Sequence, residues 1–425
     1  MKTINRFFVA AMIAALSFVM AGCEDEPNKY EVASGLPTVK YVRMTTPSAS
    51  DSLIDGAYMS STICLVGDNL RSIYELYFND QKAILNTSLM TDHTVIVNVP
   101  RTIPTDVSNK IYMVNQHSDT VAYDFKVLVP SPVVRSMSNE YAKPGSTATI
   151  YGDYLLDDAN VPLEISFPGN VAVTEFLSIT KTAVRFVVPP EAELSGNVTV
   201  KSIYGTGRSD FHYRDNRGFL FDWDGTKGMA SGHGWRNGVV SNSTEGIEPL
   251  DGNYLLFNGD LDNTAWPDED RQSFNYWPET DEGYPELSTL FDAEVWSTLQ
   301  LKFECFVPST TPWTTTSLQM IFTSNAQVTF KTGSNAYIGD DGVPRGLWTP
   351  WLETGSFDTA DEWVTVTVPL SNFRYNRYGA AASGTLDKDS FTGLTFVLYA
   401  GPQDAGTNGL IVMGIDNIRV VPANE

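Results

Sequence analysis

Positive charge is scarce in this chain: 28 Lys and Arg stand against 51 Asp and Glu, a net charge of -23 over 425 residues. That balance excludes nucleic acids and anionic polysaccharides as partners, because both are repelled over a Debye length of roughly 8 Å at physiological salt. Cysteine is nearly missing. Apart from Cys23 there are only Cys64 and Cys305, each in a strand-like apolar run of a different predicted domain. A disulfide or metal framework is therefore not expected, and both read as buried free thiols. Long runs of 3.6-residue periodicity are absent, while 23 Pro and 32 Gly cut the chain into short strands and loops. The chain has no Gly-x-Ser-x-Gly, no His-Glu-x-x-His and no phosphate-cradling Gly-Lys-Ser/Thr, and its histidines, His93, His117, His212 and His233, are scattered. Tryptophan is missing from the first 220 residues, so all nine lie beyond them.

What is present begins with a targeting segment. Lys2 and Arg6 give a positive start, Phe7 to Met20 an apolar run too short to span a bilayer comfortably, and Met20-Ala21-Gly22-Cys23 a small-residue cleavage site ending in cysteine. This resembles the lipobox of a bacterial lipoprotein. The resemblance implies a signal peptide over residues 1–22, acylation of Cys23, and a mature chain tethered to a membrane by lipid. The acidic Glu24-Asp25-Glu26 that follows is similar to a signal for display on the outer face, with a solvated linker as the plainer reading. Residues 23–37 are expected to be a tether.

Residues 38–129 and 131–214 read as two copies of one β-domain. Thr62-Ile63-Cys64-Leu65-Val66-Gly67-Asp68-Asn69-Leu70 is answered by Thr149-Ile150-Tyr151-Gly152-Asp153-Tyr154-Leu155, and Val95 to Pro100 by Val184 to Pro189. The period of about 85 residues suits a small β-sandwich and is too long for a solenoid repeat. In each copy the Gly is expected to open a turn with positive φ and the next Asp to cap it, with the closing Pro ending a strand. This order of parts, finished by Asp124-Phe125 and Asp210-Phe211, resembles the immunoglobulin-like IPT/TIG family, whose extracellular members mostly serve as spacers. Val129-Pro130-Ser131-Pro132 between the copies is short and Pro-stiffened.

From residue 215 to 425 the pattern is a larger sandwich or jelly roll. Strands are expected around Phe219, Tyr254, Leu299 to Val307, Leu318 to Phe322, Trp363 to Leu370, Leu394 to Tyr399 and Leu410 to Val421, several alternating with period two as strands with one buried face do. The fold class is thus all-β, tandem immunoglobulin-like sandwiches followed by a larger C-terminal β-sandwich or jelly roll. Between the strands, Trp266, Tyr276, Trp277, Trp313, Tyr337, Trp348 and Trp351 stand among Pro, Thr, Asp and Gly, a turn-forming setting that points to loops. An exposed flat ring stacks the apolar face of a sugar, so these seven form a candidate platform for a neutral glycan. Arg236 and Arg345 are candidate hydroxyl-binding partners, with Asn237, Asn275, Gln319 and Glu353 beside them. Trp223, Trp296 and Trp363 abut strands and read as packing residues.

Taken together, the lipobox, the tandem IPT-like units, Asp222-Trp223-Asp224-Gly225, Leu301-Lys302-Phe303-Glu304, the strand from Trp363 and the closing Ile415-Asp416-Asn417-Ile418-Arg419 resemble surface glycan-binding lipoproteins of polysaccharide utilization systems. The multi-domain type with a C-terminal xyloglucan-binding-like domain is the nearest. The resemblance implies a non-catalytic protein, lipid-anchored in the outer membrane at the cell surface beside an outer-membrane porter, that captures xyloglucan or another β-glucan for uptake. It implies no cofactor. A glycoside hydrolase and an adhesin for host protein are the competing classes. The acidic clusters Asp268-Glu269-Asp270, Asp281-Glu282 and Asp361-Glu362 read as solvated surface, unlike the two differently tuned carboxyls a glycosidase needs. Calcium at Asp222-x-Asp224-Gly225 or Asp340-Asp341-Gly342 competes with ordinary turn chemistry, which explains both runs.

Overall fold

The computed structural model describes residues 35–49, 51–159, 161–325, 327, 333–402 and 407–423. Cys23 lies outside them. The described chain is all-β: every helical piece is a 3-10 turn, the longest being Ala293–Thr298. No described helix is long and apolar enough to cross a membrane. The chain divides into two compact units at Pro130.

The first unit holds two four-stranded sheets. One runs Leu53–Ile54, Thr38–Met44, Thr62–Asp68, Thr94–Asn98, and the other Gln81–Lys82, Ile73–Phe78, Lys110–Asn115, Thr120–Asp124. Alternation decides which side is buried. In Lys110–Asn115, Ile111 and Met113 are fully buried and their neighbours are not.

The second unit opens with the repeat of that sandwich, an eight-stranded sheet in which Gly205–Tyr213 joins Gly196–Ser202 on one side to Val133–Met137 on the other. Its strands Thr147–Asp153 and Ala183–Val187 pair as Thr62–Asp68 and Thr94–Asn98 do. The repeated Gly-Asp-x-Leu does different work from that expected. A Cβ on Gly67 would lie 1.8 Å from the Thr38 carbonyl oxygen, and one on Gly152 1.8 Å from that of Val133. Each Gly thus permits close strand approach at a bulge, where the register shifts at Val39/Tyr41 or Val134/Ser136. Positive φ falls two residues later, on Asn69 (55°) and Tyr154 (57°). The aspartates pair across the strand instead of capping: Asp68 with Lys40 at 2.6 Å and Asp153 with Arg135.

The C-terminal sandwich packs two sheets. The larger runs Val239–Ser241, Tyr254–Asp262, Asn408–Pro422, Leu299–Phe306, Val364–Pro369, with Phe219–Phe221 also on Asn408–Pro422. The smaller runs Ser273–Tyr276, Gly393–Tyr399, Ser317–Thr323, Gly346–Trp348. Phe303 of one meets Phe396 and Trp348 of the other at 5.4 and 5.9 Å, closing the core between them. The strands Leu299–Phe306 and Ser317–Thr323 are buried on both faces, although their alternation predicts one wet side. Over the first lies the turn at residues 138–143 of the preceding sandwich. There Lys302 and Arg419 meet Glu140, Arg419 Nη1 pairs with Glu304 at 2.8 Å, and Tyr141 packs on Phe219. Cys64 and Cys305 are buried free thiols, and burial pushes the Cys305 thiol well above its ordinary range.

Candidate functional site

The site is built on the outer face of the smaller C-terminal sheet. Inward from that sheet point Phe274, Tyr276, Leu318, Met320, Phe322, Leu394, Phe396 and Leu398, all in the main core. Outward point Asn275, Trp277, Gln319, Ile321, Thr395 and Val397, which stay buried because residues 333–345 fold across them. Tyr337, Ile338 and Val343 of that flap form a second small core with Trp277, Ile321 and Val397. Its polar centre is closed: the Tyr337 hydroxyl donates to Asn275 Oδ1 at 3.2 Å, lies 2.7 Å from Thr395 Oγ1, and accepts from Trp277 Nε1 at 3.1 Å. Burial pushes the Tyr337 hydroxyl up to about 12.

Arg345 fastens the flap. Its guanidinium donates to the carbonyls of Ile338 (2.9 Å), Asp340 (2.7 Å) and Tyr337 (3.3 Å) and to Gln319 Oε1 of the sheet (2.7 Å). Burial pulls its pKa down to about 10, so it stays charged at neutral pH.

These contacts correct most of the loop platform read from the sequence. Tyr276 is inside the main core with its hydroxyl on the Pro285 carbonyl at 2.8 Å. Trp277 and Tyr337 belong to the flap core, and Arg345 is a buried brace. Trp313 and Trp351 turn inward, their indole N–H groups on the carbonyls of Thr315 and Thr316. Trp348 is half-buried between Phe303, Trp313 and Phe357. Tyr276 and Trp348 lie on strands, and for the other four the loop or flap that carries the ring closes an end or outer face of the sandwich, where a large ring is the cheapest apolar plug. Trp223 and Trp363 are buried and Trp296 half-buried, as packing residues. Asn275 and Gln319 are buried, whereas Asn237 and Glu353 are exposed.

Trp266 and Arg236 remain at the surface, and the structure brings them together with rings the sequence reading passed over. Trp266 is 47% exposed, Trp235 58% and Tyr378 50%. The Trp266 ring leans on Tyr399 with centroids 5.1 Å apart, and its Nε1 donates to Glu269 Oε1 at 2.5 Å. Glu269 also takes Asn335 Nδ2 at 3.0 Å and faces Arg236 Nε at 3.4 Å, and the Arg236 guanidinium lies over Trp235 at 5.5 Å. On the other side a Cβ added at Gly339 would lie 3.4 Å from Arg377 and 3.8 Å from the Trp266 ring. Arg377 donates to the Gly339 carbonyl at 2.8 Å, pairs with Asp341 at 3.2 Å and covers Tyr378 at 4.8 Å. Trp235, Trp266 and Tyr378 are thus joined through Arg236–Glu269 and Gly339–Arg377, three accessible rings with carboxylates and guanidiniums between them. A hollow of about 290 Å³ beside Trp266 is lined by Asp260, Asp262, Asp268, Gln272 and Thr316, all able to meet hydroxyls. The missed signal was local: Trp235 sits in Gly232-His233-Gly234-Trp235-Arg236-Asn237-Gly238, the same turn-rich setting as Trp266.

The Asp222 carboxylate is filled by the backbone N–H groups of Gly225, Thr226 and Lys227 and by the Thr226 hydroxyl, and Asp340 Oδ1 takes the Gly342 N–H, so both runs are turn caps. Among the described residues two carboxyls are held above the usual carboxylate range, Glu304 and Asp416, in both cases first by burial. They are 0% and 1% exposed inside the sandwich, where no substrate reaches them, so their tuning is structural.

Residues 213–422 match the family described as surface glycan-binding protein B xyloglucan binding domain. The chain is 37% identical to the surface glycan-binding protein PbSGBP-B from Prevotella bryantii, whose crystal structure it matches with a TM-score of 0.84 over 92% of this chain and 100% of that one. The chain belongs to the surface glycan-binding protein B family. Members of the family are non-catalytic carbohydrate-binding proteins. An IPT/TIG domain-containing protein of Bacteroides ovatus is 25% identical over 154 residues, 35% of this chain, and the chain spans 30% of that curated relative. A surface glycan-binding protein B from a complex xyloglucan utilization locus in Bacteroides uniformis is 16% identical over 91% of this chain and all of that one, with a TM-score of 0.44.

Proposed function

We propose that this protein captures a neutral β-glucan, with xyloglucan first, on the surface formed by Trp235, Trp266 and Tyr378, and presents it for uptake by an outer-membrane porter. The observation that carries the reading is the accessible Trp266 ring, packed at a tilt on Tyr399, hydrogen-bonded to Glu269 and flanked by two further exposed rings. A pyranose offers axial C–H groups to such rings, and the intervening Asp, Glu and Arg groups serve its equatorial hydroxyls. With about 1–3 kcal/mol per stacked ring, less the ordering of a flexible polymer, three rings give micromolar to millimolar affinity, which suits capture followed by release. The family description that matches residues 213–422 carries xyloglucan in its words, in support of that ligand. Lipid attachment at Cys23 and display on the outer face complete the proposal. The N-terminal sandwich and its repeat serve as spacers that bind no glycan themselves.

Calorimetry and affinity electrophoresis against xyloglucan, mixed-linkage β-glucan and a β-mannan test it. The Trp235→Ala, Trp266→Ala, Tyr378→Ala triple variant is expected to lose binding while keeping its melting temperature. Unchanged binding in that variant overturns the site. Release of reducing sugar from any of these polymers overturns the non-catalytic role. For the anchor, Cys23→Ser is expected to release the protein from the membrane fraction of expressing cells.

A further inference from the structure

We propose that His233, Glu279 and Glu282 form a binding site for one divalent metal ion of the zinc class. One ligand atom from each of the three lies within 4.8 Å of the others. Two preformed elements bring them together. Residues 233–236 run along the edge of the smaller sheet, where His233 N–H meets the Asn275 carbonyl at 3.1 Å and Asn275 N–H meets the Arg236 carbonyl at 2.7 Å. The glutamates lie on a tight loop closed by paired backbone bonds between Glu279 and Tyr284 (3.0 and 3.2 Å), with Gly283 at φ 87° making its turn.

The orientation of the imidazole is the first argument. His233 Nδ1 lies 2.7 Å from the Trp277 carbonyl oxygen. A carbonyl only accepts, so Nδ1 carries the proton, and in the neutral ring the lone pair is on Nε2. Metal-binding histidines are commonly held in this way, one nitrogen fixed on a carbonyl and the other presented to the ion. Tyr284 stacks on the ring at 3.5 Å and 13°, fixing its plane.

The carboxylate is the second. Nε2 faces Glu279 Oε2 at 3.7 Å, beyond hydrogen-bonding distance, and that oxygen is buried with no hydrogen-bond partner among the described residues. A buried carboxylate oxygen without a donor is costly, and an ion held between it and the imidazole satisfies that oxygen. At about 2.0–2.1 Å from each ligand, tetrahedral zinc needs them roughly 3.3 Å apart, a small closure from the observed separation. Glu282, exposed, completes a third position from the solvent side, and water takes the fourth. One imidazole nitrogen with two carboxylate oxygens favours Zn²⁺, Co²⁺ or Ni²⁺ over Ca²⁺ and Mg²⁺, which take oxygen-only shells. The ion would tie the loop at 279–284 to the segment bearing Trp235 and Arg236, and so order one flank of the exposed rings without touching sugar.

The test is a titration of the full chain, stripped with EDTA, with ZnCl₂ by calorimetry and with CoCl₂ by visible absorption. One Zn²⁺ per chain in the micromolar range is expected, with a Co²⁺ band abolished by Zn²⁺ and untouched by a hundredfold excess of Ca²⁺. His233→Ala, and separately the Glu279→Gln, Glu282→Gln pair, which leaves the ring in place, are each expected to weaken Zn²⁺ at least tenfold. No saturable Zn²⁺ binding overturns the proposal. So does binding equal in wild type and both variants, or binding lost to Ca²⁺, each of which marks ions gathered by the acidic surface, with His233 and Glu279 left as an ion pair.

Discussion

At the scale of single residues, burial separates rings of identical chemistry into two kinds. Trp313 is fully enclosed and packs edge-on against Trp348 at 5.5 Å, whereas Trp266 keeps 47% of its surface in water. Trp313→Ala is expected to cost about 3–5 kcal/mol of stability through the cavity it leaves, read as a drop in denaturant midpoint. Trp266→Ala is expected to leave that midpoint unchanged and to weaken glycan binding by about 1–3 kcal/mol, roughly 5- to 150-fold. The opposite pattern would place the site elsewhere. Asp416 is a second such case. Burial, then the nearby Glu304, Asp224 and Asp251 charges, raise its pKa well above the carboxylate norm, the Asn417 N–H opposing. A carboxyl with a folded pKa above its unfolded value helps the fold most below the unfolded value, and that help is lost as pH climbs toward the folded one. Asp416→Asn removes this loss. Its melting temperature is expected to exceed that of wild type at pH 8 and to converge with it near pH 4, and a constant difference across that range would refute the assignment.

At the scale of elements, the flap at residues 333–345 decides which side chains of the smaller sheet reach solvent. Arg345 is its pin, with four flap carbonyls and one sheet amide oxygen on a single guanidinium. Arg345→Met leaves those buried acceptors unanswered at about 1–3 kcal/mol each before relaxation. The expected outcome is a net loss of about 2–4 kcal/mol and faster amide exchange confined to 336–343, with core strands such as Ser317–Thr323 still protected. Glycan affinity is expected to fall as well, because Asn335 of the flap shares Glu269 with the Trp266 indole. This flap also marks where the sequence stopped being legible. Period-two alternation in stretches such as Ala183–Val187 named the strands and their inner faces, and the Gly-Asp-x-Leu repeat named the duplicated sandwich, since both are local patterns. Alternation reports polarity, however, and the outer face of Ser317–Thr323 is polar or apolar by turns, Gln319, Ile321, Thr323, while lying wholly beneath another segment. The same limit misplaced the aromatics. A Trp beside Pro or Thr announces a loop, but whether that loop folds inward depends on a cover far away in sequence. Trp313 in Thr311-Pro312-Trp313 went in and Trp266 in Ala265-Trp266-Pro267 stayed out.

At the scale of the whole molecule, the C-terminal sandwich is not energetically separable from the sandwich before it. The turn at 138–143 inserts Tyr141 into a cluster with Phe219, Ile247, Leu250, Tyr254, Phe306 and Trp363, and Glu140 answers Lys302 and Arg419. Lys143 Nζ adds a bond to the Pro249 carbonyl at 2.8 Å. The Lys302 charge on the strand Leu299–Phe306 is answered inside by Glu140: truncating one side of a buried pair costs about 3–5 kcal/mol, since the remaining ion is left without compensation. A fragment starting at residue 215 loses Glu140 and Tyr141 together and exposes the apolar cluster around Phe219 and Trp363. It is therefore expected to melt roughly 10 °C below a fragment starting at residue 131, given about 2–4 °C per kcal/mol for a domain of this size, and to aggregate more readily. The exposed rings Trp235, Trp266 and Tyr378 belong to other loops, so both fragments are expected to bind the same glycan with equal affinity. Equal melting temperatures would show that the charged interface contributes no net stability. A loss of binding in the shorter fragment alone would mean that the preceding sandwich shapes the glycan surface, beyond supporting the fold beneath it.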